Sequence, residues 1–313
     1  MIGIIGGTGF IGLNLSRHLQ DSGLPCRTFS RNGLLLDPGN RYHSQLNKIE
    51  HVRGDLTDRH AVAEFVAGCH SIVVLVSHLL PSSSSEEINK VISWFGPAFV
   101  QLLELCRDAG TEQVIFISSG GTIYGENESG KPINELHPLN PHCAYGSFCV
   151  FLEQLIRTFH NQHGLPYTIL RLANPYGLLK RTNKNQGLID HYIRSARARR
   201  PFTVFGDGSE VRDYVYINDI SKIITKVAES SSQNSIFNVG TGVGHTSKAV
   251  IDLVRDRFDL PEVPLVLERR RLGDVHSSLL DMTKFAEAYG FRCDTTLEAG
   301  LTQYAEQELA EIR

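Results

Sequence analysis

Two rhythms of apolar and polar positions divide this chain. Through the first half, short β-rich runs ("MIGIIGG", "PCRTFSR", "EHVRGDLTD", "SIVVLVS", "QVIFISS", "PYTILRLA") alternate with helical stretches ("GFIGLNLSRHLQDSG", "DRHAVAEFVAG", "PAFVQLLELCRDAG", "YGSFCVFLEQLIRTFHNQHG"). That alternation predicts βαβ units and an α/β, doubly wound parallel sheet. After about Asn174 the rhythm breaks. "NPYGLLKRTNKNQG" reads as loop, "FTVFGDGSEVRDYVYI" as two short strands around a Gly-Asp-Gly turn, and "TLEAGLTQYAEQELAEI" as a terminal helix. The expectation is a first domain over residues 1–173, rejoined by segments near 211–240, and a smaller substrate domain over 174–313. "SHLLPSSSSEE" is a Ser-rich loop at the carboxyl end of the fourth strand, the edge where open α/β sheets bind ligands.

Composition narrows the field. The 313 residues are 41% hydrophobic and 21% charged, with a formal net charge of -3. This balance gives no electrostatic reason to expect nucleic acid or an anionic membrane as partner. The basic run "RSARARR" reads as a solvated helix face. No apolar run approaches a membrane span, and no charged-then-apolar leader precedes the first strand. The six cysteines show no CxxC pair and no metal-ligand spacing with His, so reduced thiols in the cytoplasm and no metal are expected.

The chemistry begins at "GGTGFIG", a glycine turn between a strand and a helix. Gly6, Gly9 and Gly12 let backbone approach a pyrophosphate above the positive end of a helix, as in a Rossmann dinucleotide site. Phe10 and Ile11 open that helix. At the end of the second strand, "FSRN" offers Ser30 and Arg31 and no carboxylate. A hydroxyl and a guanidinium suit a ribose 2′-phosphate, so NADP is favoured over NAD. "GDLTD" sets Asp55 and Leu56 where an adenine would lie, and Val76 falls at the end of the fourth strand.

"GGTGFIG", "GDLTD", "VIFISSGGTIYG", "NPHCAYG", "LRLANPYG", "FGDGSEVRDYVYINDI", "FNVGTG" and "RLGDV" follow one another in order. Together they resemble the NAD-dependent epimerase/dehydratase family, extended short-chain dehydrogenases that include the UDP-sugar 4-epimerases. The resemblance spans nearly the whole chain. It implies an NAD(P)-binding first domain, a nucleotide-sugar-binding second domain, and hydride transfer between nicotinamide and sugar.

Tyr145 matches the Tyr of the family's Tyr-x-x-x-Lys motif, which exchanges a proton with a sugar hydroxyl. Cys149 stands where the Lys belongs. An unperturbed Tyr titrates near ~10, so bringing it to neutrality takes about 3 units, roughly 4 kcal/mol. A thiol is shorter than a lysine, makes fewer hydrogen bonds and is never positive. The family's usual Ser or Thr four residues before the next Tyr is Gly120 here, with Ser119 and Thr122 beside it as stand-ins. Asn174, Tyr176, Arg212, Arg271 and Asp274 match residues that hold sugar, diphosphate and ribose, which favours a UDP-sugar. The resemblance also implies a homodimer joined by a four-helix bundle, the second helix offering Phe148, Phe151, Leu152, Leu155, Ile156 and Phe159. "GGTIYG" lacks the acidic pair of a dehydratase. The readings left open are a UDP-sugar 4-epimerase with Tyr145 as general acid/base, a 4-keto-sugar reductase, and a family member impaired by Cys149.

Overall fold

A computed structural model describes residues 1–33, 42–75, 79, 83–178, 187–271 and 273–312. Val76, expected near the cofactor, lies outside the described residues. The strands are β1 (Ile2–Ile5), β2 (Cys26–Ser30), β3 (Glu50–Arg53), β4 (Ser71–Val74), β5 (Gln113–Ser119), β6 (Tyr167–Leu172), β7 (Asn174–Tyr176), β8 (Phe202–Phe205), β9 (Val211–Tyr216), β10 (Ser235–Val239), β11 (Gly244–Thr246), β12 (Leu265–Glu268) and β13 (Ser277–Ser278). The helices are α1 (Phe10–Asp21), α2 (His43–Leu46), α3 (Arg59–Val66), α4 (Ser85–Asp108), α5 (Gly120–Ile123), α6 (Ala144–His163), α7 (Leu188–Arg197), α8 (Ile217–Ala228), α9 (Ser247–Arg257), α10 (Thr283–Tyr289) and α11 (Leu297–Ile312).

Seven strands form one parallel sheet in the order β10-β6-β5-β4-β1-β2-β3. The central strands β1, β4 and β6 are buried at every position, which is why they read as mainly apolar runs. Ile4, Val73 and Ile115 face a core shared with α1 and α8, while Ile5, Val74 and Phe116 face α3, α4 and α6. The chain steps one way from β1 to β2 and the other way to β4, so the strand order reverses at the carboxyl ends of β1 and β4. Crevices at such reversals are where doubly wound sheets take ligands.

Residues after Asn174 build two smaller sheets. β9 pairs with β7 and β13 in parallel and with β11 antiparallel, and β8 pairs in parallel with β12. The two strands expected around the Gly-Asp-Gly turn both exist, but they do not pair with each other. The Gly206 N–H instead bonds Glu268 O at 2.8 Å, which ties the end of β8 to β12 and sends β9 elsewhere.

The helix expected to begin at Pro97 begins three turns earlier. Ser84 caps it by accepting from Glu87 N–H, and the Glu87 carboxylate returns to Ser84 N–H, a reciprocal capping box. Pro97 sits inside the helix. The signal was the Ser-x-x-Glu spacing within what reads as a polar loop. No helix among the described residues is long and apolar enough to cross a membrane.

Candidate functional site

The glycine turn after β1 is shaped by close approach. Gly6 has φ +83°, and the Gly9 N–H bonds its carbonyl at 2.9 Å. A Cβ on Gly12 would stand 2.6 Å from Gly6 O and 2.6 Å from Gly7 Cα, inside contact distance. Gly9 caps α1 without any side-chain bond. The first N–H groups of α1 therefore face the crevice undiverted, an arrangement that suits an anion. Phe10 and Ile11 pack half-buried against the core beneath.

At the far end of β2, the Ser30 hydroxyl donates to Asn32 O and lies 3.5 Å from His51 Nε2. Arg31 is exposed, and Arg53 Nε donates to its carbonyl at 3.0 Å. The sequence places no carboxylate at the end of β2, but the fold brings one there. Asp55, in the loop after β3, lies 4.0 Å from Arg31 while also accepting from Thr57 N–H and Oγ1. Leu56 is buried, and its carbonyl accepts from Gln101.

Tyr145 occupies the first turn of α6, half-buried. Its place is set by Gly146, where a Cβ would stand 2.5 Å from Thr122 O. Only glycine lets α6 start this close to the α5 turn. The thiols on either side of Tyr145 are uncharged. Cys143 caps α6, accepting from Gly146 N–H at 3.4 Å, and burial pushes its thiol up. Cys149 is 4% exposed and burial pushes it up to about 12, against hydrogen bonds from Tyr145 and the Ser119 backbone. The thiol therefore touches the Tyr145 side chain as a neutral group. Thr122 Oγ1 donates to Ser119 Oγ at 2.9 Å, so the two stand-in hydroxyls are paired with each other at the carboxyl end of β5.

One turn beyond Cys149, Glu153 is buried against Arg171 of β6, with 2.6 Å between carboxylate and guanidinium. Ser118 Oγ donates to the same carboxylate at 2.5 Å. Arg171 Nη1 donates to the Tyr124 hydroxyl at 2.8 Å, and that hydroxyl donates to Asn238 Oδ1 at 2.7 Å. Burial pushes Tyr124 up to about 12 although Arg171 acts the other way. This network locks α6 to β5, β6 and β10 directly beneath Tyr145. Sequence reasoning passed over it, although a Glu on the apolar face of α6 and an Arg inside an apolar strand were the signal.

The residues expected on the substrate side divide. Asn174 Oδ1 would lie 3.3 Å from a Cβ on Gly121, at the mouth of the crevice. Tyr176 is a correction. It is 2% exposed, packed against Tyr214 and Tyr216, with its hydroxyl at the Thr296 and Leu297 carbonyls under α11. It fills the core and has no face left for a sugar. Arg212 is half-buried and spends donors on Val211 O, Val275 O and His276 O, which fastens β13 to β9. Arg271 is exposed and stacks on Phe205, its guanidinium carbon 3.7 Å from the ring centroid. A Cβ on Gly273 would stand 2.7 Å from His142 O, so Gly273 rests on the residues that lead into α6. Asp274 is near enough to Cys143 for its charge to raise that thiol. The "NPHCAYG" and "RLGD" stretches, far apart in sequence, thus share one wall.

Comparison with known proteins places the fold. A family model for the NAD dependent epimerase/dehydratase family matches residues 2–240. A putative UDP-glucose 4-epimerase of Methanocaldococcus jannaschii is 28% identical over 306 residues, covering 96% of each chain. The UDP-glucose 4-epimerase of Thermotoga maritima, solved with UDP-glucose, superposes with a TM-score of 0.88 at 26% identity, over 100% of this chain and 99% of that one. The Thermus thermophilus UDP-glucose 4-epimerase, solved with NAD, gives 0.85 at 26% identity over 98% of each.

Proposed function

The chain belongs to the NAD dependent epimerase/dehydratase family, and on that footing we propose that it acts on a UDP-sugar by NAD(P)-dependent hydride transfer of the 4-epimerase type, with Tyr145 as the proton-transfer residue. The observation that carries this reading is the placement of Tyr145. It stands on the first turn of α6, held by Gly146 against the turn that ends β5, at the carboxyl edge of the sheet.

The glycine turn fits a dinucleotide, because backbone fills the space where a side chain on Gly12 would be. Gly6, Gly9, Phe10, Ile11 and Gly12 with the α1 N–H groups would hold its pyrophosphate. When bound, NAD(P) supplies a nicotinamide that takes up and returns hydride. Tyr145 then holds or releases the hydroxyl proton at its Oη, with Ser119 and Thr122 beside it. Arg212, Arg271, Asp274 and Asn174 line the side assigned to the diphosphate and sugar. Among the two cofactors we propose NADP, supported by the exposed Arg31 guanidinium and the Ser30 hydroxyl at the end of β2 and opposed by Asp55, 4.0 Å from Arg31. Arg31→Asp should lower the ratio of NADP to NAD affinity; an unchanged ratio removes this assignment.

A second reading has its own observation. Cys149 is a buried neutral thiol where the family pattern has a Lys, so Tyr145 receives no cation from that position. The protein would then bind cofactor and UDP-sugar with little turnover. The test follows interconversion of UDP-glucose and UDP-galactose by wild type and Cys149→Lys. Full wild-type turnover removes the impaired reading. Turnover only in the Lys variant establishes it. Silence from both, with UDP bound, removes the 4-epimerase assignment.

Residues 1–173, with the returning segments near 211–240, would form the dinucleotide half, and 174–313 mainly the sugar-nucleotide half. A homodimer through α4 and α6 is also proposed. Phe148, Leu152, Ile156 and Phe159 are already buried within the protomer, so support rests on Ile92 and Phe151, which remain exposed. A cytoplasmic location is in keeping with six unpaired thiols.

A further inference from the structure

Strand β12, "LVLE", is exposed at every position. Leu265, Val266 and Leu267 put three consecutive large apolar side chains in water, between 42% and 61% exposed. Its neighbour in the two-stranded sheet is the reverse, for Phe202 and Val204 of β8 are buried. Leu265 pairs with Phe202 and Leu267 with Val204, so the two leucines lie on the face that is buried over β8. That face runs out into solvent at the edge of the sheet.

The backbone of β12 is open at that edge too. The Pro264 and Glu268 carbonyls accept from Phe202 N–H at 2.9 Å and from Gly206 N–H at 2.8 Å. Backbone groups alternate in direction along a strand, so those of Val266 also turn toward β8, and the N–H and C=O of Leu265 and Leu267 turn away. Among the described residues, no strand pairs with that edge. Edge strands are commonly blocked by a Lys, a Pro or a charge. The run 265–267 carries none of these, and Pro264 turns its missing N–H toward β8 rather than toward the open edge.

The edge is complementary to itself. Laid antiparallel on a second copy about Val266, Leu265 of each strand faces Leu267 of the other. The two outward-turned residues then exchange N–H···O bonds, and Val266 meets Val266 between them. The same register sets the exposed Glu262 opposite the exposed Arg270. Sliding the strands by two residues sets Glu262 opposite Glu268 in one direction and Leu265 opposite Arg269 in the other, so charge selects the first register. We infer that β12 is an interface between two copies of this chain, paired edge to edge, antiparallel and centred on Val266. Two-fold closure uses up both edges and ends the association there. The interface uses neither α4 nor α6 and does not depend on the UDP-sugar reading.

The test joins oxidative cross-linking to sedimentation equilibrium, both on the full chain. Val266→Cys, oxidised with copper phenanthroline in air, should give a disulfide-linked band of twice the chain mass on a non-reducing gel. Residue 266 faces itself across the two-fold axis, with Cβ atoms about 4.5 Å apart, close enough to bridge. Leu265→Cys faces residue 267 instead and should give much less of that band, and wild type, with its own six cysteines, none above background. Equal cross-linking of Val266→Cys and Leu265→Cys overturns the inference. In sedimentation, Leu267→Lys, at the most exposed of the three positions, should halve the mass of the associated species. An unchanged mass overturns the inference whether or not α4 and α6 also associate. Wild type that is monomeric throughout overturns it as well.

Discussion

Removing the Glu153 carboxylate should destabilise the protein far more than any surface ion pair would. The two side chains are 2% and 3% exposed, so neither charge has water to return to. Glu153 accepts from Arg171 Nε at 3.1 and 3.2 Å, from Arg171 Nη2 at 2.6 Å and from Ser118 Oγ at 2.5 Å. Glu153→Ala leaves a buried guanidinium whose remaining side-chain partners are the Tyr124 hydroxyl and ring. Breaking a buried pair from one side costs about 3–5 kcal/mol. The Tyr124 ring, 5.1 Å from the guanidinium carbon, is in place before and after the change and cancels from the difference. The expectation is a loss of about 3–5 kcal/mol, read from the midpoint and slope of urea unfolding. Arg171→Met should cost a similar amount by stranding the carboxylate. Replacing both at once, as Glu153→Leu with Arg171→Met, should cost much less than the sum, because no charge is then left buried alone. A Glu153→Ala loss below about 1 kcal/mol, or strict additivity in the double variant, would refute the view that this pair anchors α6 beneath Tyr145.

Three further outcomes follow from the geometry. Gly12→Ala should abolish dinucleotide binding measured by nicotinamide fluorescence, since its Cβ would enter the space of Gly6 O; retained affinity would mean that the turn is not the pyrophosphate site. Tyr176→Phe should leave UDP affinity unchanged in calorimetry, and a large loss would return Tyr176 to the substrate side. Burial holds His18, His51 and His191 below the ordinary value of 6.5. The unfolded chain therefore binds more protons as pH falls from 6.5 toward the lowered folded values. Stability from these groups is fully present above 6.5 and is lost through that window. The melting temperature should rise from pH 5 to pH 7, and a flat profile would refute the assignment.

The doubly wound sheet was legible because its central strands are covered on both faces and advertise themselves as mainly apolar runs between helices. The α4 start was misplaced because Pro97 is a stronger local mark than a capping box embedded in serines. The strands flanking Gly206 to Gly208 were found, but their partners were not, since β8 pairs with β12, some sixty residues away in the chain. At the site, what could be read of a residue's position depended on where the backbone turns. The place of Tyr145 in the first turn of α6 was legible from the helix start alone. That of Tyr176 was not, because what removes it from the crevice is α11. The approach of Asp55 to Arg31 joins residues from separate elements, and no local pattern encodes it.

Gly273 resting on His142 has a consequence for engineering. The segment proposed to hold the nucleotide and the segment that leads into the Tyr145 helix meet at Gly273 and the His142 carbonyl. Gly273 and Asp274 on one segment and His142 and Cys143 on the other are therefore coupled. A specificity loop grafted from a relative into the first segment alone would inherit a host surface shaped for a different loop, and would shift Tyr145 while meaning only to change the sugar. Variants that exchange both segments together are the ones in which recognition and chemistry can be altered without spoiling each other.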